Sequence, residues 1–405
     1  MQLSSTDTET KRPFQPVGNR VGIYVCGVTP YDTTHVGHLF TFASFDVLIR
    51  YLRYLGYDVT YVQNITDVDD DMLRKARELG TRWDRLAGEQ VGQLVADFEA
   101  LNIALPDHFP RASDQIPTIL TMAEALVREG RAYVAGGNVY YEVGADRGFG
   151  PPAHLASYEE MLAIANERGN RPDDPRKRDP LDFVLWQASA PDEPSWESPW
   201  GPGRPGWHIE CSAMCYRYLG PTVDIHGGGY DLVFPHHAAE RVQSERFTHV
   251  QPFVRFWLHV GMVRLAGEKM SKSLGNLVLA RELLRQWPPN AIRLALANRQ
   301  YREEWDWEDA DLDRMADWDR EVGEALRRPS TGRDAGVVPV GRFRQRILGA
   351  FDDDLNTPAA LRGLAELAGA IRTAPERAEL GDAQRLLHEL TAVLGLRHPA
   401  PTASS

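Results

Sequence analysis

Two histidines in His35-Val36-Gly37-His38 and two lysines in Lys269-Met270-Ser271-Lys272-Ser273 are the side chains best suited to chemistry on a phosphate. When a carboxylate attacks an α-phosphate, negative charge builds on the equatorial oxygens. Imidazole N–H donors aimed there stabilise the transition state more than the ground state. Lys269 and Lys272, on a loop flanked by Gly267 and Gly275, would act from the other side while pyrophosphate departs, and the glycines would let the loop close. Alone, the first motif reads as two ordinary loop histidines and the second as a solvated basic turn. Their joint occurrence, in this order and each in a strand-to-turn setting, points to one nucleotide held between them.

The elements around the histidines fit that role. An apolar run, Val21 to Val25, leads into a turn containing Gly27, Pro30 and Asp32, so His35 and His38 fall where a strand hands over to a helix. A Rossmann-type sheet holds phosphate at such a helix N-terminus, beside unpaired backbone N–H groups. Further on, Asp224-Ile225-His226-Gly227-Gly228-Gly229-Tyr230-Asp231 places three glycines after an apolar strand. They would allow close backbone approach to a flat ring or sugar, with Asp231 accepting hydrogen bonds from ribose hydroxyls; a plain tight turn is the other reading.

The three cysteines are too few for a disulfide framework, so their positions carry the information. Cys26 precedes the phosphate turn, and Cys211 and Cys215 lie in Trp207-His208-Ile209-Glu210-Cys211-Ser212-Ala213-Met214-Cys215. In Phe234-Pro235-His236-His237-Ala238-Ala239-Glu240, Pro235 can open a helix, and His236 and Glu240 share a helical face. Two thiolates, an imidazole and a carboxylate suit Zn²⁺ better than Mg²⁺. Buried free cysteines are also small core hydrophobes, which is the competing reading.

At 405 residues and 43% apolar content, two or three domains with ample core are expected. No apolar stretch approaches a membrane span, and Met1 to Arg20 is polar rather than a signal peptide, so cytoplasmic residence is the expectation. The formal charge of −12 argues against a broad electrostatic grip on nucleic acid, though not against a local basic face.

Jointly, Tyr24-Val25-Cys26-Gly27, the histidine motif, Asn64-Ile65-Thr66-Asp67-Val68-Asp69-Asp70, Gly203-Arg204-Pro205-Gly206-Trp207-His208-Ile209-Glu210-Cys211, the triple glycine, Phe234-Pro235-His236-His237 and the lysine motif resemble the cysteine-activating class I synthetases. That family comprises cysteinyl-tRNA synthetases and the mycothiol-pathway cysteine ligases, and the resemblance covers nearly the whole chain. It implies His35, His38, Lys269 and Lys272 as catalytic groups. Gly37, Gly227, Gly228, Gly229, Asp231 and Lys272 match nucleotide contacts, and Thr66 and Trp207 the cysteine pocket. Cys26, Cys211, His236 and Glu240 match the ligands of one zinc, with Cys215 left to core packing. ATP with Mg²⁺ is the implied co-substrate, and a monomer is expected. Binding a substrate thiolate to metal gives a discrimination that serine or alanine cannot match, so no editing domain is needed.

The expected fold is α/β: a doubly wound parallel Rossmann-type (HUP) catalytic sheet over 1–290, interrupted by an inserted connective subdomain at 111–203, then a C-terminal helical bundle over 291–405 without an anticodon-binding module. Helices are predicted over Phe42–Leu55, Asp71–Leu79 and Ile116–Glu129, a hairpin over Ala132–Val143, and a polar linker over Arg328–Gly341. The acidic run Asp352-Asp353-Asp354 reads as solvated and capping, and Trp305 and Trp307 either as core or as a flank for a small cationic acceptor. The function expected is ATP-dependent formation of cysteinyl-adenylate. The absent module and stretches such as Gly27 to His35 and Glu167 to Pro175 lean toward transfer to an amine, as in glucosaminyl-inositol; Glu240 and Trp196 to Cys211 lean toward tRNA(Cys). A nucleotidyltransferase without aminoacyl chemistry would leave the thiol cluster without purpose. A catalytically silent paralogue would be expected to have lost the histidines and lysines.

Overall fold

A hairpin of β1 (Gln2–Ser5) and β2 (Thr10–Pro13) precedes β3 (Arg20–Val28), α1 (Val36–Tyr54) and β4 (Asp58–Ile65) in the computed structural model, which describes residues 1–400 apart from 17, 32, 33, 147, 151–156, 271–273 and 331–333. In β3, Val21, Ile23 and Val25 join one hydrophobic core while Tyr24 and Cys26 join another. Successive strand residues point to opposite faces, so a strand covered on both must be apolar throughout, which explains the unbroken run. Helix α1 starts at Val36, six residues earlier than the predicted Phe42, because His35 caps it: its side chain accepts the N–H of Gly37. The histidine motif is therefore the helix N-terminus itself.

Two helices, α2 (Asp70–Glu78) and α3 (Trp83–Ala100), lead to the inserted region. It contains α4 (Ile116–Arg128), β5 (Ala132–Ala135), β6 (Asn138–Tyr141), α5 (Tyr158–Glu167), β7 (Phe183–Ala188) and β8 (Gly203–Pro205). The four strands form an antiparallel sheet in the order β5-β6-β7-β8, and the predicted hairpin is its first half. Its core is shared with Ile209, Phe234, Ala239 and Val242, so it sits on the elements that follow it. Asp146 anchors it there by accepting two hydrogen bonds from Arg246.

The main sheet resumes with α6 (Trp207–Leu219), β9 (Val223–Gly229), α7 (Ala238–Thr248) and β10 (Val254–Val260). Its strands run parallel in the order β10-β9-β3-β4. The first strand thus lies between the second and third, and the crossovers leave it in opposite directions. This is a topological switch point, where the carboxyl ends of β3 and β9 open a crevice. β11 (Val263–Leu265), β12 (Glu268–Lys269), α8 (Ala280–Gln286) and α9 (Pro289–Ala297) follow. β13 (Trp305–Asp306) then pairs in parallel with β11. The bundle is completed by α10 (Ala310–Arg327), α11 (Val340–Asp352), α12 (Thr357–Thr373) and α13 (Gly381–Val393).

One continuous core runs from Val21 and Phe40 through Ile292 and Trp307 to Leu390, with no break near residue 290. Trp307 belongs to that core and Trp305 packs against it and Phe40, so the core reading of the two tryptophans holds. Asp46 of α1 and Arg293 of α9 form a buried ion pair at 2.5 Å that ties the histidine helix to the bundle. Asp354 departs from its expected solvated role. It is buried and accepts from Ser4 N–H, Ser4 Oγ, Tyr301 Oη and Arg302 Nε, holding the N-terminal hairpin against the bundle. An isolated acidic run does not reveal such long-range donors. No described helix is long and apolar enough to cross a membrane.

Candidate active site and metal centre

His35, Gly37 and His38 from α1, Gly229 and Asp231 after β9, Trp207 at the start of α6, and Lys269 and Met270 after β11 line one cavity of about 1030 Å³ at the switch point. The two motifs that are distant in sequence are joined by backbone: Val36 N–H donates to the carbonyl of Val278, and Ala280 N–H to that of Thr34. The chain beyond the lysine motif is thereby stitched to the entry of α1. His35 and His38 stack with ring centroids 3.8 Å apart. Because His35 Nδ1 accepts from Gly37, the neutral ring carries its proton on Nε2, a donor suited to a phosphate oxygen. Lys272 lies outside the described residues, as does Asp32.

The triple glycine divides in function. A Cβ on Gly227 would lie 2.1 Å from the carbonyl oxygen of Leu258, and one on Gly228 2.8 Å from Leu232 Cδ1. Those two glycines serve close packing inside the fold and do not line the cavity; Gly229 does. Thr66 is likewise not among the lining residues: it is buried directly behind them, donating its N–H to the carbonyl of Val28, which does line the cavity, and accepting a hydrogen bond from Asn64 Nδ2. Its place within the motif Asn64 to Asp70 gave no information on depth.

Beside the cavity, Cys26, Cys211, His236 and Glu240 converge in a buried cluster whose donor atoms all lie within 4.8 Å of one another. Cys26 Sγ is 3.9 Å from Cys211 Sγ and 3.5 Å from Glu240 Oε1, and His236 Nε2 is 3.1 Å from Glu240 Oε1. Donors bound to one tetrahedral zinc would be separated by about 3.3–3.8 Å, and the observed separations lie within a few tenths of an ångström of that range, so small side-chain shifts would let this set hold the ion. Glu240 Oε2 is buried without a hydrogen-bond partner among the described residues, a state that a cation would relieve. The second nitrogen of His236, Nδ1, lies 2.9 Å from His208 Nδ1, which fixes the ring. Pro235 does not open a regular helix as expected: Val233–His237 form a π-turn with Phe234 extended, and this turn delivers His236 and His237 together.

Charge in the cluster is set by its own members. Burial pushes Cys211 up, but the hydrogen bond from Cys26 and the charge of His236 outweigh it and bring the thiol down to about 6. Burial likewise opposes ionisation of Glu240, yet His226 and His236 hold it at about 2. His236 loses solvation by burial, but Glu240 and Cys211 raise it to about 10. A thiolate and a carboxylate are therefore ready as ligands. Burial leaves Cys215 well above the ordinary thiol range, packed in the core with Met214 and Val223 as expected.

Two further histidines join the cluster. His226 Nε2 lies 3.6 Å from Cys26 Sγ and 3.4 Å from Glu240 Oε1, and His237 Nε2 lies 3.3 Å from Cys26 Sγ. Cys26, His226, His237 and Glu240 are thus a second geometrically possible donor set that shares two residues with the first. The set with two sulfurs is the softer one and suits zinc better. His226 sat in the quoted glycine segment, and its strand register with Tyr24 is the signal that would have found it.

Residues 13–317 match the family model described as tRNA synthetases class I (C) catalytic domain, and 347–398 match the DALR domain. The cysteine–tRNA ligase of Dehalococcoides mccartyi is 42% identical over 399 residues, covering 98% of this chain and 86% of that protein. Its counterpart from Pelotomaculum thermopropionicum is 45% identical over 388 residues, covering 93% and 79%. Among solved structures, Mycobacterium tuberculosis methionyl-tRNA synthetase with methionyl-adenylate superposes with a TM-score of 0.65 at 16% identity, over 93% of this chain and 89% of that one. The Agrobacterium radiobacter LeuRS–tRNA–LeuAMS complex gives 0.64 at 12% identity, over 94% and 85%. These two show a common fold. The family match over most of the chain, with relatives above 40% identity over most of their own length, leads to one conclusion: the chain belongs to the class I tRNA synthetases of the (C) type.

Proposed function

We propose that this protein activates L-cysteine with ATP and passes the cysteinyl group to the terminal ribose hydroxyl of tRNA(Cys). The observation that carries the reading is the position of Cys26, which belongs both to the thiol-rich cluster and to the lining of the cavity that holds His35, His38 and Lys269. A thiol-selective centre and a phosphate-handling centre therefore share one chamber. In the first step a carboxylate oxygen of cysteine attacks the α-phosphorus, and the bond to pyrophosphate breaks. His35 and His38 donate to the developing charge from the N-terminus of α1, Lys269 faces it from the opposite loop, and Asp231 accepts from the ribose hydroxyls. Lys272 is assigned to the same phosphates by resemblance. A zinc ion bound by Cys26, Cys211, His236 and Glu240 would supply a bond to the substrate sulfur that serine cannot equal. In the second step the acceptor nucleophile attacks the cysteinyl carbonyl and AMP leaves.

The acceptor is read from two supports. The relatives described above are named cysteine–tRNA ligases, and Glu240 stands inside the donor cluster, as in the four-ligand site of that branch. The amine acceptor favoured by several sequence stretches has no such support from those relatives. The test offers the purified enzyme ATP, cysteine and either tRNA(Cys) or glucosaminyl-inositol and follows both products by mass. Charging of tRNA with no amide formed is expected; an amide with uncharged tRNA overturns the proposal. Cytoplasmic residence accompanies this reading.

A further inference from the structure

A short strap of the inserted subdomain links two walls of the cavity. α5 ends at Glu167, Arg168 follows as its cap, and Gly169 at φ +87° turns the chain. Arg168 Nη1 then donates to Asp231 Oδ2 at 3.1 Å on the wall after β9, while Arg171 Nη2 reaches Asp70 Oδ2 at 3.3 Å at the start of α2. Residues 168–171 all line the cavity with His35, His38 and Asp231. The two pairs are not equivalent. Side-chain exposure is 65% and 54% for Arg171 and Asp70, a pair that water screens; for Arg168 and Asp231 it is 24% and 34%.

Among the described residues, Arg168 is committed to Asp231 through Nη1 alone. Its Nε–H is buried without a hydrogen-bond partner among the described residues, and an unpaired buried donor is costly to keep. Asp231 is closely confined: a Cβ on Gly229 would lie 2.5 Å from its Oδ1, so the carboxylate rests over the backbone of the strand end. An unpaired carboxylate in a chamber meant for a polyphosphate would repel its own ligand, and a guanidinium on one oxygen removes that penalty while leaving the other oxygen to accept.

We infer that Arg168 is a positioning residue for the ribonucleotide, holding Asp231 in the orientation that accepts the ribose hydroxyls. This deepens the proposed function and rests on the ribose reading of Asp231. Through Arg168 the inserted subdomain takes part in nucleotide selection, although it lies outside the parallel sheet.

The test is cysteine-dependent ATP–pyrophosphate exchange with ATP, 2′-deoxy-ATP and 3′-deoxy-ATP as substrates, for the parent, Arg168→Ala, Asp231→Ala and the double variant. Arg168→Ala should raise KM for ATP on the order of tenfold, as loss of one charge-assisted contact would, with KM for cysteine unchanged. It should also shrink the preference for ATP over the deoxy analogues, and adding it to Asp231→Ala should cost little more. A merely structural role would weaken all three nucleotides equally and leave the preference intact. Preference lost in Asp231→Ala but retained in Arg168→Ala overturns the inference and keeps the ribose reading. Preference retained in Asp231→Ala overturns both. Arg168→Gln gives the same readout should the alanine variant fail to fold.

Discussion

Cys26 Sγ and Cys211 Sγ lie 3.9 Å apart, although 185 residues separate them in the chain. A disulfide would bring the sulfurs to about 2.05 Å, and simple core packing would not add a carboxylate at 3.5 Å. The separation is close to that of two sulfur ligands of one tetrahedral ion, the arrangement the proposed function requires. Purified protein is therefore expected to carry close to one zinc per chain by elemental analysis. Cys211→Ala should lower that content and abolish cysteine-dependent exchange, while Glu240→Gln, which keeps one oxygen donor, should be milder. Zinc-free protein with full activity would sink the assignment.

In the proposed reaction the stacked pair His35 and His38 would act on charge that builds only in the transition state. Replacing either with alanine should slow adenylate formation by about two to three orders of magnitude, the cost typical of a lost oxyanion donor. KM values for ATP and cysteine should move far less. Single-turnover rates with saturating substrates separate the two effects; a normal rate with weakened binding would reassign these residues to ground-state binding.

Asp46 and Arg293 join the histidine helix to the bundle inside the core, where Arg293 also donates to the carbonyls of Leu394 and Leu101. Asp46→Ala would leave a buried guanidinium without its counter-charge, at a cost of about 3–5 kcal/mol. Urea unfolding should show the midpoint falling by that equivalent. A change below about 1 kcal/mol would mean that the bundle is not held to the sheet by this pair.

Asp146 gives the inserted subdomain an acid-sensitive anchor. Burial raises its carboxyl, but the hydrogen bonds from Arg246, Tyr141 and Gly148 outweigh that and hold it at about 2. A carboxyl depressed in the folded state stabilises fully above its unfolded value near 3.9 and loses that contribution as pH falls toward 2. The contribution is about 2 kcal/mol at neutral pH. Asp146→Asn should remove it, so the parent and the variant should differ in stability at pH 7 and converge near pH 2. A difference that persists unchanged at pH 2 would contradict the linkage.

Residue identity alone carried much of the site. Histidines at a strand-to-helix turn, lysines between glycines, and cysteines with a histidine and a carboxylate name their chemistry through what each atom can donate or bind, and the apolar run of β3 announced a strand, whose burial on both faces the structure added. The α/β class, the inserted hairpin and the helical C-terminal region followed from the same patterns. What the sequence could not contain was depth and company. Whether a glycine faces ligand or neighbour depends on strand register, which places Gly227 against Leu258 and leaves only Gly229 of the three at the cavity. Whether an aspartate is solvated depends on donors far along the chain, which bury Asp354 under Ser4 and Tyr301. The ring of His226 and His237 around Cys26, and the strap from Arg168 to Asp231, arise because parallel crossovers bring distant segments to one sheet edge. Local spacing encodes what a side chain can do; only long-range packing decides what it does it to.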